Sequence, residues 1–257
     1  MTAETASPAP RFVPPNRAEG DVDLQVFSRF FLGTPSRGVM VDVGAARPDY
    51  LSISASFRSR GWRVIAIEPN PEFYEMHKRL GHEVYAYACG THDEDDAPFS
   101  VVNSHGADYE GGEVSFESLS SLSIKASYAA QSPNLDVKQI LVKLRKLDSI
   151  LSNHADDIAE IDVISIDVEG WEMEVLQGLS FEKYRPKVII LENMFDDAAY
   201  VKAMRGRGYT RWTHNQLNDV YVRDGFQGTG LNRFWMPLAE GAVTLTRRVI
   251  GRIKRFR

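Results

Sequence analysis

The chain has 257 residues, 43% of them hydrophobic and 25% charged, with a formal net charge of −5. That length buries a sizeable core, and the acid excess gives no electrostatic case for a nucleic-acid partner. A single cysteine, Cys89, excludes an internal disulfide framework and suits a reducing cytoplasm. No uncharged apolar run is long enough to span a bilayer, and the N-terminus lacks the charged-then-apolar pattern of a signal peptide.

Residues 1–20 are rich in Pro, Ala and charge and read as a flexible leader. Asp21 offers an N-cap to DVDLQVFSRFFLG, where Leu24, Phe27 and Phe31 repeat as one helical face before Gly33 and Pro35 close it. From Val39 the pattern turns α/β. VMVDV is a short apolar run ending in a turn, as a buried parallel strand should, and a helix of about a dozen residues follows up to Gly61. RVIAIEP predicts a second strand. Asn70 then caps a helix with Pro71 at its first position, where Phe73, Met76 and Leu80 share a face. EVYAYA predicts a third strand.

Residues 91–138 interrupt this rhythm, and the serines of SFESLSSLSIKAS suggest a β-rich excursion or lid over one edge of the sheet. KLDSILSNH predicts a helix, IDVISID a fourth strand, WEMEVLQG a helix ended by Gly178, and KVIILEN a fifth strand. GYTRWT and DVYVR predict a C-terminal antiparallel pair. Residues 21–238 read as one domain, without repeat or linker. The tail 239–257 carries Arg247, Arg248, Arg252, Lys254, Arg255 and Arg257 interleaved with Val249, Ile250, Ile253 and Phe256. It reads either as a basic amphipathic helix making peripheral contact with an anionic membrane or as a solvated or packed tail.

Strands alternating with helices imply a mostly parallel twisted sheet with helices on both faces and right-handed crossovers. Such sheets bind ligands outside the carboxyl ends of their strands, near the switch in strand order. The polar residues at those ends are Asp42-Val43-Gly44-Ala45, Glu68-Pro69-Asn70, Cys89, Asp167-Val168-Glu169-Gly170 and Glu192-Asn193. Gly44 lets the backbone pass close to a ligand, and Ala45 keeps that path clear. A carboxylate at Glu68 can accept from both hydroxyls of a ribose. Cys89 either sits beside that nucleoside or is a small buried packing residue. Of the G-x-G-x-x-G pattern that cradles a pyrophosphate only the first glycine is present, and Asp49 would repel an anion. S-adenosylmethionine, which has no phosphate and carries a sulfonium cation, suits an acidic rim. A nicotinamide-dependent oxidoreductase and a non-catalytic nucleoside-binding scaffold are the alternative readings.

The stretch VDVGAARPDYLSISASFRSRGWRVIAIEPNPEFYEMHKRL resembles the first half of FkbM-type methyltransferases, including Gly61-Trp62 and Glu68-Pro69-Asn70-Pro71. KLDSIL through IDVISIDVEGWEMEVLQGL to KVIILEN resembles that family's second block, with D-V-E-G-x-E its most specific string. The resemblance implies a class I methyltransferase (Rossmann-like) fold, S-adenosylmethionine as donor, and O-methylation of a sugar, glycan or secondary-metabolite hydroxyl. It implies that Asp42, Gly44 and Ala45 line the methionine portion, with Ser52 near it and Glu68 on the ribose. It leaves the 91–138 segment and the residues after Arg223 uncovered.

A hydroxyl acceptor must lose a proton, and three arrangements offer a base. Asp167 and Glu169 end the fourth strand, where a carboxylate faces both donor and acceptor, although either could merely cap the helix that follows. His214 precedes DVYVR and could lean over the same rim. A metal is the third: Asp167 with Glu192 and Asn193 offers oxygen ligands for Mg²⁺ or Ca²⁺, similar to the Asp…Asp-Asn set of catechol-type O-methyltransferases with Glu192 replacing the middle Asp. The other five histidines, at positions 77, 82, 92, 105 and 154, lack metal-ligand spacing and read as surface or helix residues. A membrane-bound tail would favour a glycolipid acceptor.

Overall fold

The computed structural model describes residues 18–33, 37–103, 107–109, 112–114, 120–125, 127 and 136–229. Expectations for residues 1–17, for much of the serine-rich stretch and for the basic tail lie outside the described residues. Ala18, at the end of the expected leader, is buried, and Glu19–Asp21 forms a 3₁₀ turn.

Helix α1 (Val22–Val26) continues as a π-helix over Phe27–Phe31. Asp21 does not cap it, because its backbone is left-handed with φ 53° and its side chain makes no capping bond. Val22, Val26, Phe30 and Phe31 are the buried face; of the expected Leu24, Phe27 and Phe31 repeat, Phe31 is buried and the other two are half-buried. Strand β1 (Val39–Val43), α2 (Ile53–Ser59), β2 (Arg63–Ile67), α3 (Pro71–Arg79) and β3 (Val84–Tyr85) follow. Asn70 caps α3 through Oδ1, which accepts from the Glu72 amide at 3.0 Å. EVYAYA does not stay in one sheet: after β3 the chain steps out into β4 (Ala88–Cys89).

The excursion contains β5 (Glu94–Asn103), β6 (Ala107–Tyr109), β7 (Gly112–Val114) and β8 (Asp136–Arg145). β8 pairs with β4 on one side and antiparallel with β5 on the other, a second small sheet. Then come α4 (Leu147–His154), β9 (Val163–Ile166), α5 (Glu172–Gln177), α6 (Phe181–Tyr184), β10 (Val188–Glu192), α7 (Ala198–Arg205), β11 (Tyr209–Asn215) and β12 (Asn218–Arg223).

The main sheet has seven strands in the order β11-β12-β10-β9-β1-β2-β3. β1, β2, β3, β9 and β10 run parallel, while β12 is antiparallel to both neighbours. This is the mostly parallel sheet with a C-terminal reversed pair that the pattern predicts. The apolar runs are continuous because both faces are covered. Val41, Val43, Ile65, Ile67, Ile164 and Ile166 pack with Leu147, Ile150, Leu151, Val175 and Leu176 of the helices on one side. Met40, Val64, Val163, Val188 and Ile190 pack with Val22, Val26, Phe30, Phe31 and Phe57 on the other. β1 has β2 on one flank and β9 on the other, so the strand order reverses there and a crevice opens above their carboxyl ends. Among the described residues no helix is long and apolar enough to cross a membrane.

Candidate active site

At the end of β1 the backbone turns at Gly44 with φ 75°, and its amide donates to the Ile67 carbonyl at 3.0 Å. A Cβ there would stand 1.8 Å from the Asp167 carbonyl oxygen, so only glycine lets β1 and β9 meet at this rim. Ala46 follows with φ 45° and donates its amide to Glu68 Oε2 at 2.8 Å. The Asn70 amide donates to Glu68 Oε1 at 2.7 Å. Glu68 is therefore held at both oxygens by the two turns it joins, and each oxygen keeps a further lone pair. Burial pushes its carboxyl up to about 7, against the opposing pull of the two amides.

A histidine pair supports the same turn. His77 is fully buried, and its Nε2 donates to the Ala46 carbonyl at 3.0 Å while its Nδ1 meets His82 Nδ1, also at 3.0 Å. A carbonyl can only accept, so the proton lies on His77 Nε2 and on His82 Nδ1. Burial lowers both rings, His82 to about 4, which keeps them neutral. The sequence reading leaves these histidines as surface or helix residues. The available signal was the four-residue step from Phe73 to His77, which puts both on the buried side of α3.

The crevice has an empty volume of about 540 Å³ including the part open to solvent. Gly44, Ala46, Glu68 and Pro69 form one wall, Phe73, Tyr87, Ala88, Cys89 and Phe99 an apolar slot, and Asp167, Val168, Glu169 and Trp171 the far side. Ser120, Ser121 and Leu122 close over it. This strap is fastened by a Ser100–Ser121 bridge, by Trp171 Nε1 donating to the Ser123 carbonyl at 3.0 Å, and by the Lys125 ammonium donating to the Gly170 carbonyl. No basic side chain lines the crevice among the described residues.

Not every expected residue faces it. Asp42 is turned from the crevice toward α2, with Ser54, Arg58 and His77 around its carboxyl, which burial raises. Successive strand residues point to opposite faces, and Val43 takes the other side. Ser52 hydrogen-bonds Ser54 at 3.3 Å behind the same turn, and Ala45 packs on Ala66 and Val84. Cys89 lines the slot, but burial pushes its thiol far above the ordinary range, so it is apolar lining and not a nucleophile.

Beyond β9, Glu169 has φ 57°, is 8% exposed and leaves its Oε2 without a partner. The turn is organised by Glu172, whose Oε1 accepts from the Val168 and Gly170 amides and whose Oε2 accepts from the Tyr200 hydroxyl at 2.7 Å. The second Glu of D-V-E-G-x-E is thus a buried brace, a role the spacing alone does not reveal. Asp167, Glu169 and Glu192 bring carboxylate oxygens within 4.8 Å of one another. Burial, then the neighbouring carboxylates, raises Asp167 to about 8, and the same causes raise Glu169. Asn193 does not join them: its amide bridges Asp219 Oδ2 at 2.8 Å and the Asp197 backbone. His214 sits outside the crevice, on β11, where its Nδ1 meets Asp219 Oδ1 at 2.8 Å beside the Arg211 guanidinium.

A nucleoside bearing a sulfonium fits these residues. Two lone pairs of Glu68 remain for a ribose, an apolar slot suits a purine, and the buried Asn70 Nδ2 lacks a partner. Among the described residues a pyrophosphate would meet three carboxylates and no cation. The methyltransferase FkbM domain matches residues 42–210, and the chain belongs to the FkbM family of methyltransferases. Membership makes it an enzyme of methyl transfer with S-adenosylmethionine as donor, and its sheet is the class I methyltransferase architecture. No curated protein matches the chain. Among solved structures it is similar to precorrin-6y C5,15-methyltransferase from Geobacter metallireducens GS-15, at 15% identity and a TM-score of 0.39, with 80% of this chain and 88% of that one covered.

Proposed function

We propose that the protein is an O-methyltransferase that acts on a hydroxyl of a sugar, glycan or secondary metabolite in the cytoplasm. The observation that carries this reading is the crevice at the β1–β9 junction, lined by Glu68, Asp167 and Glu169 with no basic side chain among the described residues. Bound there, S-adenosylmethionine supplies a methyl group on a cationic sulfur. The chain supplies position and a proton acceptor. Glu68 holds the ribose hydroxyls, the strap of Ser120, Ser121 and Leu122 excludes water, and the Asp167–Glu169 side takes the proton of the attacking hydroxyl. An amine attacking as its free base needs no such acceptor, whereas a hydroxyl does. Burial and the neighbouring carboxylates raise Asp167 to about 8, near the working pH that suits a general base. His214 stays a framework residue in this reading, because its ring is engaged by Asp219 off the crevice. Trp171 and the two serines at the mouth suit a hydroxyl-rich acceptor, with a glycolipid as the form it would take at a membrane surface.

A labelled-methyl transfer assay against glycans and metabolites of the source cell, together with calorimetry of S-adenosylhomocysteine and NAD, tests this. Homocysteine-nucleoside binding with methyl on oxygen is expected; NAD binding alone overturns the reading. Asp167→Asn should lower kcat by about 10²–10⁴-fold with little change in nucleoside affinity.

A further inference from the structure

We propose that His77 and His82 are positioning residues that act through Ala46, holding Glu68 ready for ribose and setting the pH range in which that carboxylate accepts it. The ligand named here rests on the methyl-transfer reading; the relay itself rests on geometry. Its links are continuous. His82 Nδ1 donates to His77 Nδ1 at 3.0 Å, His77 Nε2 donates to the Ala46 carbonyl at 3.0 Å, and the Ala46 amide donates to Glu68 Oε2 at 2.8 Å. Among the described residues no other donor reaches that oxygen.

Ala46 needs such support. Its φ of 45° lies in the left-handed region, which an alanine enters at a cost and keeps only where its surroundings hold it. His77 grips its carbonyl and Glu68 its amide, so both ends of the residue are fixed. Without the grip on the carbonyl, Ala46 is free to relax and to withdraw its amide from Glu68. That amide favours the ionised carboxylate against burial, so its withdrawal raises the pH at which Glu68 ionises. His82 fixes the tautomer. By donating to His77 Nδ1 it leaves the His77 proton on Nε2, the only ring position from which it reaches the Ala46 carbonyl.

The charges around the relay keep it neutral. Arg58 of α2 faces both rings and opposes their protonation, while Asp42 of β1 favours it at His77; burial outweighs Asp42. Glu68 itself faces Asp42 and the amides of Ala46 and Asn70.

The test is a titration of the Glu68 carboxyl by ¹³C NMR in the full-length protein without ligand, assigned through Glu68→Gln. His77→Leu should move the midpoint up by about 0.5–1 on the pH scale, as loss of one hydrogen bond to the charged form does. His77→Gln keeps a donor for the Ala46 carbonyl and should restore most of the midpoint. His82→Phe should move it in the same direction as His77→Leu, and it serves if that variant fails to fold. In calorimetry at pH 7, His77→Leu should weaken S-adenosylhomocysteine about 2–12-fold. It should add no further loss once Glu68→Gln is in place, because the two act as one unit. An unmoved Glu68 midpoint in folded His77→Leu or His82→Phe overturns the relay, as does a loss of affinity that adds in full to that of Glu68→Gln. Absence of S-adenosylhomocysteine binding by the unmutated protein, with the NMR midpoint still moved by His77→Leu, removes the nucleoside from this site and leaves the relay standing.

Discussion

The Glu68 carboxyl commits one lone pair of each oxygen to a backbone amide, Ala46 on one side and Asn70 on the other. Its remaining lone pairs set a pH dependence of opposite sign for ligand and fold. Ribose hydroxyls are donors and favour the ionised carboxylate, so nucleoside affinity should rise as pH climbs through about 7. The folded value lies above the reference of 4.5, so the neutral carboxyl contributes stability below that reference. That contribution is lost as pH rises through about 7. Calorimetry with S-adenosylhomocysteine from pH 6 to 8, against melts of the free protein over the same range, checks both slopes. Glu68→Gln should flatten the binding profile and weaken affinity about 10–100-fold, as loss of a charge-assisted hydrogen bond does. A steep profile retained in that folded variant would remove Glu68 from the effect. The position of Glu68 after an apolar run was legible in the sequence. His77 was not, because periodicity treats a histidine as polar and picks Met76 and Leu80, yet Leu80 is 59% exposed.

Among the elements, the parallel strands were the most legible, since burial on both faces leaves an uninterrupted apolar run. The α2 helix was less so: it has seven residues instead of a dozen because the chain from Gly44 to Ser52 is given over to the turn around Glu68, with Ala46 and Leu51 both at positive φ. Nothing in the local pattern signals that diversion. The serine-rich stretch hinted at a cover but not at its fastening. Trp171 Nε1 donating to the Ser123 carbonyl is one part of that fastening, and an indole donor leaves no trace in hydrophobic periodicity. Trp171→Phe keeps the ring and removes the donor. Loss of about 0.5–1.5 kcal/mol of hydrogen bonding should speed S-adenosylhomocysteine dissociation about 2–12-fold. Stopped-flow release measures this, and an unchanged rate would show that the strap opens elsewhere.

Across the whole molecule, the two ends of the described chain meet on one face of the sheet. Phe31 packs edge-on to Trp62 at 5.0 Å and lies 6.0 Å from Phe226, while the Thr229 amide donates to the Phe30 carbonyl at 2.9 Å. The sequence showed an amphipathic helix there but not its partner, which lies almost two hundred positions away. Phe31→Ala should cost about 3–5 kcal/mol, read from denaturant unfolding. A cost near 1 kcal/mol would mean that the aromatic cluster relaxes into the space.

The strap is tied to Gly170 and Trp171, the residues directly after Glu169. Letting go of a spent nucleoside therefore tugs on the very loop that carries the acid. On the proposed methyl-transfer reading, opening of the strap to free the product would also shift the Glu169 carboxyl beside the acceptor.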